Sequence, residues 1–242
     1  MSGKVLIYGG GGGIGSAVAR ILAQKGYGLH LAGRDEQKLA AVADDTGASF
    51  TLADVEDDDS FAHVMSEAGP SLAGLVYAVG TINLKPLGRL TIADFERDFR
   101  VNALGAALAM QAALPAMKAH AGIASAVLFS SVAVAQGFTA HASIAMAKGA
   151  VEGLTRALAA ELAPKLRVNV IAPSLTRTTL EKNLTDNAQM AAAIAQMHAI
   201  PRLGEAEDSA RLAAFLVSED AGWITGQTIG VDGGRSSLRA KG

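Results

Sequence analysis

Three polar residues that could do chemistry stand in segments that are otherwise apolar. Asn102 lies in an alanine-rich predicted helix, Ser131 follows a buried strand, and Lys148 lies among alanine, methionine and glycine. The amide, the hydroxyl and the ammonium group could all bind a polar ligand. Each residue alone has a structural explanation, because Asn and Ser can satisfy nearby backbone groups and Lys can extend to the surface.

A histidine, His141, is the fourth candidate. Residues seven apart on an α-helix differ by about 20° in azimuth, so His141, Ile144 and Lys148 would share one face. His141 lies at or just before the helix start, where the helix dipole disfavours an imidazolium and a neutral imidazole N–H donor is predicted. An exposed helix residue is the alternative for His141. Ser143, a second candidate donor, has a poorer azimuth and could cap the helix.

A run of five glycines precedes the first predicted helix. An apolar strand over 5–8 leads into Gly9–Gly13, then Ile14 and Gly15, and then apolar residues at helical spacing. This arrangement presents backbone N–H groups and a helix N-terminus to a pyrophosphate, and glycine lets the phosphates approach the backbone. A mononucleotide P-loop would need Gly-Lys-Ser/Thr where the chain has Gly-Ser-Ala. The run therefore predicts a dinucleotide site.

Predicted strands alternate with predicted helices along the chain, and these elements must position the residues described above. Repeated strand–helix units predict a parallel, doubly wound α/β sheet of the Rossmann type in one domain over 1–242. The segment 175–198 interrupts the rhythm and is a candidate substrate lid or, alternatively, a surface helix pair. The predicted strands are 5–8, 29–32, 49–52, 75–78, 126–129, 167–172 and 228–231, and the main predicted helices are 35–44, 103–119 and 143–162.

Composition limits the classes of partner. The 242 residues carry a net charge of −2, with no basic block, so we expect no nucleic-acid partner. There is no cysteine, no signal-peptide pattern and no apolar run long enough to span a bilayer, which predicts a cytoplasmic protein without a membrane partner. The acidic cluster 56–59 is interpreted as a solvated helix start rather than a metal site, and no metal is expected.

An ordered set of motifs resembles the classical short-chain dehydrogenase/reductase family over essentially the whole chain, with the 3-oxoacyl-carrier-protein-reductase-like branch most similar. The resemblance implies an oxidoreductase that transfers hydride between a nicotinamide dinucleotide and a small-molecule substrate. The motifs are Gly9-x-x-x-Gly13-Ile14-Gly15, Asp54-Val55, Asn102, Ser130-Ser131, Lys148, the segment 167–173, Ile224-Thr225-Gly226-Gln227 and Val231-Asp232-Gly233-Gly234.

By this resemblance Ser131 would hydrogen-bond the substrate oxygen, Lys148 would hold the nicotinamide ribose, and Asn102 would support a relay water. The family's catalytic tyrosine stands four residues before the lysine, where this chain has Ile144, which has no proton to donate. His141 or water would then supply the proton. The spacing of His141 and Lys148 matches, in position only, the Tyr-to-Lys spacing of related enoyl-carrier-protein reductases. A carbonyl or a conjugated enoyl or iminium substrate is expected; the alternative is a silent dinucleotide-binding sensor or subunit partner.

The expected cofactor is NADP, with NAD as the alternative. The position where NAD-binding folds place an acid looks like Gly33, and Arg34 after it could bind a ribose 2′-phosphate. Asp35 would be the acid in the NAD alternative, or a plain helix cap. By resemblance, Asp54 would receive the adenine amino group. The full set of predicted cofactor residues is Gly9, Gly13, Ile14, Gly15, Arg34, Asp54, Val55, Gly80, Lys148, Pro173 and Thr178.

Two of the predicted helices bear on the oligomeric state. Small residues occur on more than one face of the predicted helices 103–119 and 143–162, which allows close approach between helices. The family resemblance places these two helices at a two-fold interface and a second interface near the C-terminal strand. A homotetramer, or a homodimer, is therefore expected.

Overall fold

The computed structural model describes residues 3–178, 180 and 187–238. Its main sheet has seven parallel strands in the order β3-β2-β1-β4-β5-β6-β9, which confirms the predicted doubly wound α/β fold. The strands are β1 Lys4–Tyr8, β2 Gly28–Gly33, β3 Ser49–Leu52, β4 Gly74–Tyr77, β5 Ala124–Phe129, β6 Leu166–Pro173 and β9 Thr228–Val231.

Helices cover both faces of this sheet. Apolar side chains of α3, α5 and α7 form one core, and those of α1, α2 and α9 form the other. The two layers hold the carboxyl ends of the strands at one edge, where ligands bind in such folds. The helices are α1 Gly13–Gln24, α2 Glu36–Thr46, α3 Asp59–Ala68, α4 Ile92–Phe99, α5 Gly105–Ala119, α6 Val132–Gln136, α7 Ala142–Leu162, α8 Ala188–Ala195 and α9 Ala206–Val217.

The predicted helix 103–119 is part of a longer helical run. A π-helical turn, Arg100–Leu104, joins α4 to α5. The hydroxyl of Tyr77, at the end of β4, donates a 2.6 Å hydrogen bond to the carbonyl oxygen of Val101 within that turn. A Cβ on Gly105 would collide with the same hydroxyl, so glycine is needed where the helix passes the tyrosine. Such turns often mark functional positions, and this one carries Asn102.

A buried histidine lies in the second strand of the sheet, next to the edge strand β3. His30 in β2 is 1% exposed, and its two ring nitrogens lie 2.8 Å from the hydroxyl of Ser49 and 3.0 Å from that of Thr51, both in β3. Burial lowers the pKa of His30 from 6.5 to about 4, so the ring is neutral at pH 7. The histidine therefore joins two strands as a neutral polar group.

The segment 175–198 is only partly described. Its first residues form β7, Thr176–Arg177, which pairs in parallel with β8, Gly204–Glu205, and α8 lies near its end. Residues 179 and 181–186 of the predicted lid lie outside the described residues. No helix in the described part of the chain is long and apolar enough to cross a bilayer. Trp223, before β9, is fully exposed.

Candidate active site

The glycine loop forms a close-packed turn between β1 and α1. Gly9 has φ +78° and donates from its N–H to the carbonyl oxygen of Ala32 at 2.8 Å. A Cβ on Gly15 would collide with the carbonyl oxygen of Gly9, and one on Gly13 would lie 2.8 Å from Cγ2 of Thr178. The first N–H groups of α1 have no partner within the helix, so the turn can cradle a pyrophosphate as the sequence predicts.

A cavity of about 860 Å³ opens beside this turn at the carboxyl edge of the sheet. It brings together residues from β5, α7 and the segment after β6 that are far apart in the chain. Asn102 lies behind the wall, only 1% exposed. The predicted site residues that line the cavity are Ile14, Gly80, Ser131, His141, Ile144, Lys148, Pro173 and Thr178.

Lys148 is held at the base of the cavity. Its Nζ donates a 2.9 Å hydrogen bond to the carbonyl oxygen of Phe129, the last residue of β5. Burial lowers the pKa of Lys148 to about 8, and the negative charge of Asp98 opposes this shift. The amine therefore changes its charge near neutral pH, which suits a group that binds or relays protons.

Asn102 is held in a polar cluster with Thr81 and Asp98. Its Nδ2 donates to Oγ1 of Thr81 and to the main-chain carbonyl of Asp98, both at 2.8 Å. A Cβ on Gly80 would lie 3.1 Å from Oδ1 of Asn102 and 3.3 Å from Nζ of Lys148, so glycine lets both polar atoms approach this turn. Gly80 therefore separates the fixed amide of Asn102 from the amine of Lys148.

Asp98 is a member of this cluster that the sequence did not reveal. The carboxylate is 2% exposed, and its Oδ2 has no hydrogen-bond partner within the described residues. The sequence contained one indication of this role. Asp98 stands four residues before Asn102, which places the two residues one turn apart on a helix. An acid in the polar pattern of α4 is more often solvated, which hid its role.

Ser131 occupies the N-cap of α6. Its Oγ accepts a hydrogen bond from the N–H of Ala133 at 3.2 Å. The local backbone bond anticipated from the sequence is therefore present. The hydroxyl proton is not used in that bond and can be donated to a substrate oxygen in the cavity.

His141 precedes α7 and shares the cavity with Ile144 and Lys148, as the helical spacing predicts. Its Nδ1 lies 2.7 Å from the carbonyl oxygen of Thr139. Since a carbonyl only accepts, Nδ1 carries the proton, and Nε2 of the neutral ring is a lone-pair acceptor. With this tautomer the neutral ring presents an acceptor to the cavity at Nε2, which weighs against the expected neutral donor.

Ile144 stands one helical turn before Lys148 on α7. It is 6% exposed and contributes an apolar side chain to the cavity wall. The wall near Ile144 therefore offers neither a donor nor an acceptor from this side chain.

A second hollow of about 460 Å³ lies at the end of β2 and β3 and contains Arg34, Asp54, Asp57 and Asp59. Arg34 is 66% exposed, and its Nη1 lies 3.7 Å from Oδ2 of Asp54. Asp35 accepts a hydrogen bond from the N–H of Lys38 and caps α2, as its capping interpretation predicts. Val55 is buried beside this hollow. The arginine and the predicted adenine-binding acid thus lie together.

The far wall of the main cavity contains residues that sequence reasoning missed. The guanidinium of Arg235 lies 4.5 Å from the ring centroid of Phe138, and the Phe138 ring contacts His141 edge-on at 5.3 Å. Leu84, Ile194 and Met197 add apolar surface to the cavity. These residues come from α8 and from several loops, so no local pattern in the sequence indicates them.

A family model, related proteins and a solved structure all match this chain over most of its length. A family model described as enoyl-(acyl carrier protein) reductase matches residues 10–236. A tropinone reductase homolog of Arabidopsis thaliana is 33% identical over 97% of this chain and 92% of its own length. The 3-oxoacyl-[acyl-carrier-protein] reductase of Bos taurus is 33% identical over 94% and 95%. The solved structure of ElxO with NADP bound is 29% identical, covers 98% of this chain and 100% of its own, and has a TM-score of 0.89.

Proposed function

The chain belongs to the short-chain dehydrogenase/reductase family of oxidoreductases, and we propose that it is an NADP(H)-preferring member with a site that lacks the usual tyrosine. The observation that carries the proposal is the shared cavity of Ser131, Lys148, His141 and Ile144 beside the dinucleotide turn. This cavity has a base, a hydroxyl donor and an apolar wall where family resemblance expects a phenol.

The chain's own residues fit the cofactor that the family uses. A Cβ on Gly9, Gly13 or Gly15 would collide with neighbouring protein atoms, so these glycines allow the tight turn that would cradle a pyrophosphate. Lys148 lies at the nicotinamide end expected from the family, and Arg34 can pair with a 2′-phosphate. NADPH, when bound, supplies a hydride. ElxO, a neighbour of the same fold, binds NADP, which supports this preference.

Ser131 and Lys148 would hold the substrate and the proton path. The free hydroxyl proton of Ser131 would bind the oxygen that gains charge. Lys148 and Asn102 would keep a water chain connected to solvent, because both are fixed by short hydrogen bonds. Ile144 would pack against the substrate and could not take part in proton transfer.

His141 or a water molecule is the proposed proton donor. The imidazolium of His141 would keep the Nδ1–H bond to Thr139 and release the proton from Nε2 to the substrate oxygen or carbon. The neutral ring that remains is the tautomer that the structure supports.

Conjugated enoyl and iminium substrates suit this site best. Such groups are already polarised, so hydride addition depends less on an acid than it does for a simple ketone. Loss of a positioned general acid costs about 10²–10⁴-fold. A carbonyl remains a candidate where His141 can reach its oxygen.

The test compares wild type with Ile144→Tyr and His141→Ala in an NADPH oxidation assay. The panel contains ketones, enones, enoyl thioesters and imines, and His120→Ala is the matched control because His120 does not line the cavity. We expect wild-type turnover on polarised substrates, a loss of about 10²-fold or more in His141→Ala, and no change in His120→Ala.

One result would contradict the enzyme proposal. A wild type that binds NADPH but turns over nothing, beside an active Ile144→Tyr variant, would mean that only the binding scaffold remains. The protein would then act as a dinucleotide-binding sensor or subunit partner.

A further inference from the structure

Arg235 follows β9 in a turn that directs its side chain into the main cavity. Gly233 and Gly234 have φ angles of +61° and +83°. The carboxylate of Asp232 accepts the N–H groups of Gly234 at 2.8 Å and Ser236 at 2.9 Å, which holds the turn closed. A turn fixed by its own backbone bonds gives Arg235 a defined position.

The guanidinium has few partners of its own. Within the described residues, its one side-chain hydrogen bond runs from Nη2 to Sδ of Met197 at 3.4 Å, and no ion pair involves it. Sulfur is a weak acceptor, and the Phe138 face provides a cation–π contact only. The nearby Asp232 already accepts two backbone N–H groups. A half-buried guanidinium with five N–H donors is therefore left with unused hydrogen-bonding capacity facing a cavity.

The other cation of the cavity does not compete for the same ligand group. Nζ of Lys148 donates to the carbonyl oxygen of Phe129, at the expected cofactor end. Arg34 lines the separate hollow at the end of β2 and β3. Arg235 instead lies against the ring of Phe138 and Sδ of Met197, apart from the groups that hold the other two cations. It can therefore serve the substrate.

The cavity also has apolar side chains in its lining, together with polar ones such as Gln136 and Gln196. Val132, Ile144 and Ile194 line the cavity together with Leu84 and Met197. A ligand here would bury a hydrocarbon body and place charged or polar groups at its two ends.

We propose that the substrate carries a carboxylate that Arg235 binds, so that the site acts on apolar oxo, enoyl or imino acids. The proposal deepens the proposed function and rests on it for the reaction, but not for the binding. The planar guanidinium matches a carboxylate in two parallel N–H···O bonds, and such pairs are the strong, directional ones. The reacting carbon would then lie near Ser131 and His141, because Phe138 contacts both Arg235 and His141.

The first experiment measures kcat/KM with NADPH for two conjugated enone acids, 6-oxooct-4-enoic acid and 7-oxooct-5-enoic acid, and for their primary amides. We expect wild type to prefer the best acid over its amide by about 10-fold or more, since a hydrogen bond to a charged group contributes about 1.5–3 kcal/mol. Arg235→Met keeps an unbranched chain against Phe138 and should bring the ratio near one, mainly through KM. Arg235→Lys should restore part of the preference.

A control separates this effect from a general loss of positive charge. Arg211→Met removes an arginine that lies on α9, outside the cavity, within 3.9 Å of Asp208. It should leave the acid-to-amide ratio as in wild type. Equal kcat/KM for acid and amide in wild type would overturn the proposal, as would a ratio that survives Arg235→Met.

A second experiment keeps the proposal testable if no compound is turned over, which would count against the proposed function instead. Calorimetric titration of the NADP⁺-saturated protein with octanoate and octanamide measures binding alone. Octanoate binding at least about 10-fold tighter, with the difference lost in Arg235→Met, would support the carboxylate site without catalysis. Equal affinity for the two ligands would overturn it.

Discussion

The hydroxyl of Thr81 donates a 2.7 Å hydrogen bond to Oδ1 of Asp98. The same hydroxyl oxygen accepts from Asn102, so one threonine joins the amide of the candidate site to a buried acid. Asp98 does not touch Lys148 through a hydrogen bond, yet its charge counters the effect of burial on the lysine. An acid outside the cavity wall therefore helps to set the charge of the amine within it.

Replacing Asp98 with Asn should move the alkaline limb of the pH–rate profile to lower pH. The carboxylate raises the pKa of Lys148, which burial has lowered to about 8, so its removal leaves burial less opposed. If charged Lys148 is needed for turnover, the variant should lose more activity than wild type between pH 7.5 and 9. The measurement is kcat/KM against pH at fixed ionic strength. The control is Asp44→Asn, which changes an exposed acid on α2 and should leave the alkaline limb of the pH–rate profile as in wild type. If Asp98→Asn and wild type had the same alkaline limb, the effect of Asp98 on the pKa of Lys148 would be contradicted.

Replacing Arg34 with Ala should weaken NADPH binding more than NADH binding. Only NADPH carries the 2′-phosphate, and loss of a charge-assisted bond corresponds to about 10–100-fold in Kd. Fluorescence titration of both cofactors measures the two constants. Arg20→Ala, which removes an exposed arginine paired with Asp45, is the matched control.

The complementary change is Gly33→Asp, which should favour NADH. A Cβ at Gly33 would lie 3.6 Å from Cδ2 of Leu39, an ordinary contact, so the backbone there accepts a side chain. The new carboxylate would repel the 2′-phosphate and accept from the ribose hydroxyls of NADH. Equal losses for both cofactors in Arg34→Ala would argue against the NADP preference.

Acidification should destabilise the fold through His30. The pKa of His30 falls from 6.5 to about 4 on folding, so the unfolded chain binds the proton more readily between these values. Stability therefore falls as pH decreases from about 6.5 toward 4, by about 2 kcal/mol between pH 7 and pH 5 for this group alone. Urea unfolding at one protein concentration checks this, with His30→Gln expected to lose that much less over the same interval. His120→Gln should behave as wild type; an identical pH dependence in His30→Gln would refute the assignment.

Light scattering should give a mass of about four times the 24.6 kDa chain. A Cβ on Gly153 in α7 would meet nothing within 4 Å, so Gly153→Leu is tolerated by the single chain but should block close approach of a second α7. Trp223→Gln removes a fully exposed ring near β9 and should weaken the second interface, leaving dimers. A monomeric wild type, or a tetramer unaffected by Gly153→Leu, would contradict this arrangement.

Much of the fold could be predicted because its signals are local. Five glycines after an apolar strand have few alternatives to a tight turn before a helix, and the structure confirms this turn. The seven-residue spacing of His141 and Lys148 likewise placed both residues on one cavity. The spacing of residues along the chain was sufficient wherever a residue's position depended on a single helix or strand.

The rest depends on contacts between distant segments. Asp98 has the pattern of a solvated acid until Thr81, seventeen residues earlier, approaches it. The protonated nitrogen of His141 follows from the carbonyl of Thr139, which depends on the loop conformation. Arg235 joins the cavity only because the turn after β9 meets Phe138 there. No local pattern contains these relationships.

The π-helical turn at Arg100–Leu104 makes the chain length between Asp98 and α5 critical. A π turn contains one residue more than the α turn that it replaces, so a single-residue deletion there would leave regular α-helix with α4 and α5 in nearly the same phase. The deletion would remove the local bulge in which the carbonyl oxygen of Val101 accepts from Tyr77 and from which Asn102 reaches Thr81. The two helices should therefore tolerate the shorter chain better than the polar cluster of Asn102, Thr81 and Asp98 would.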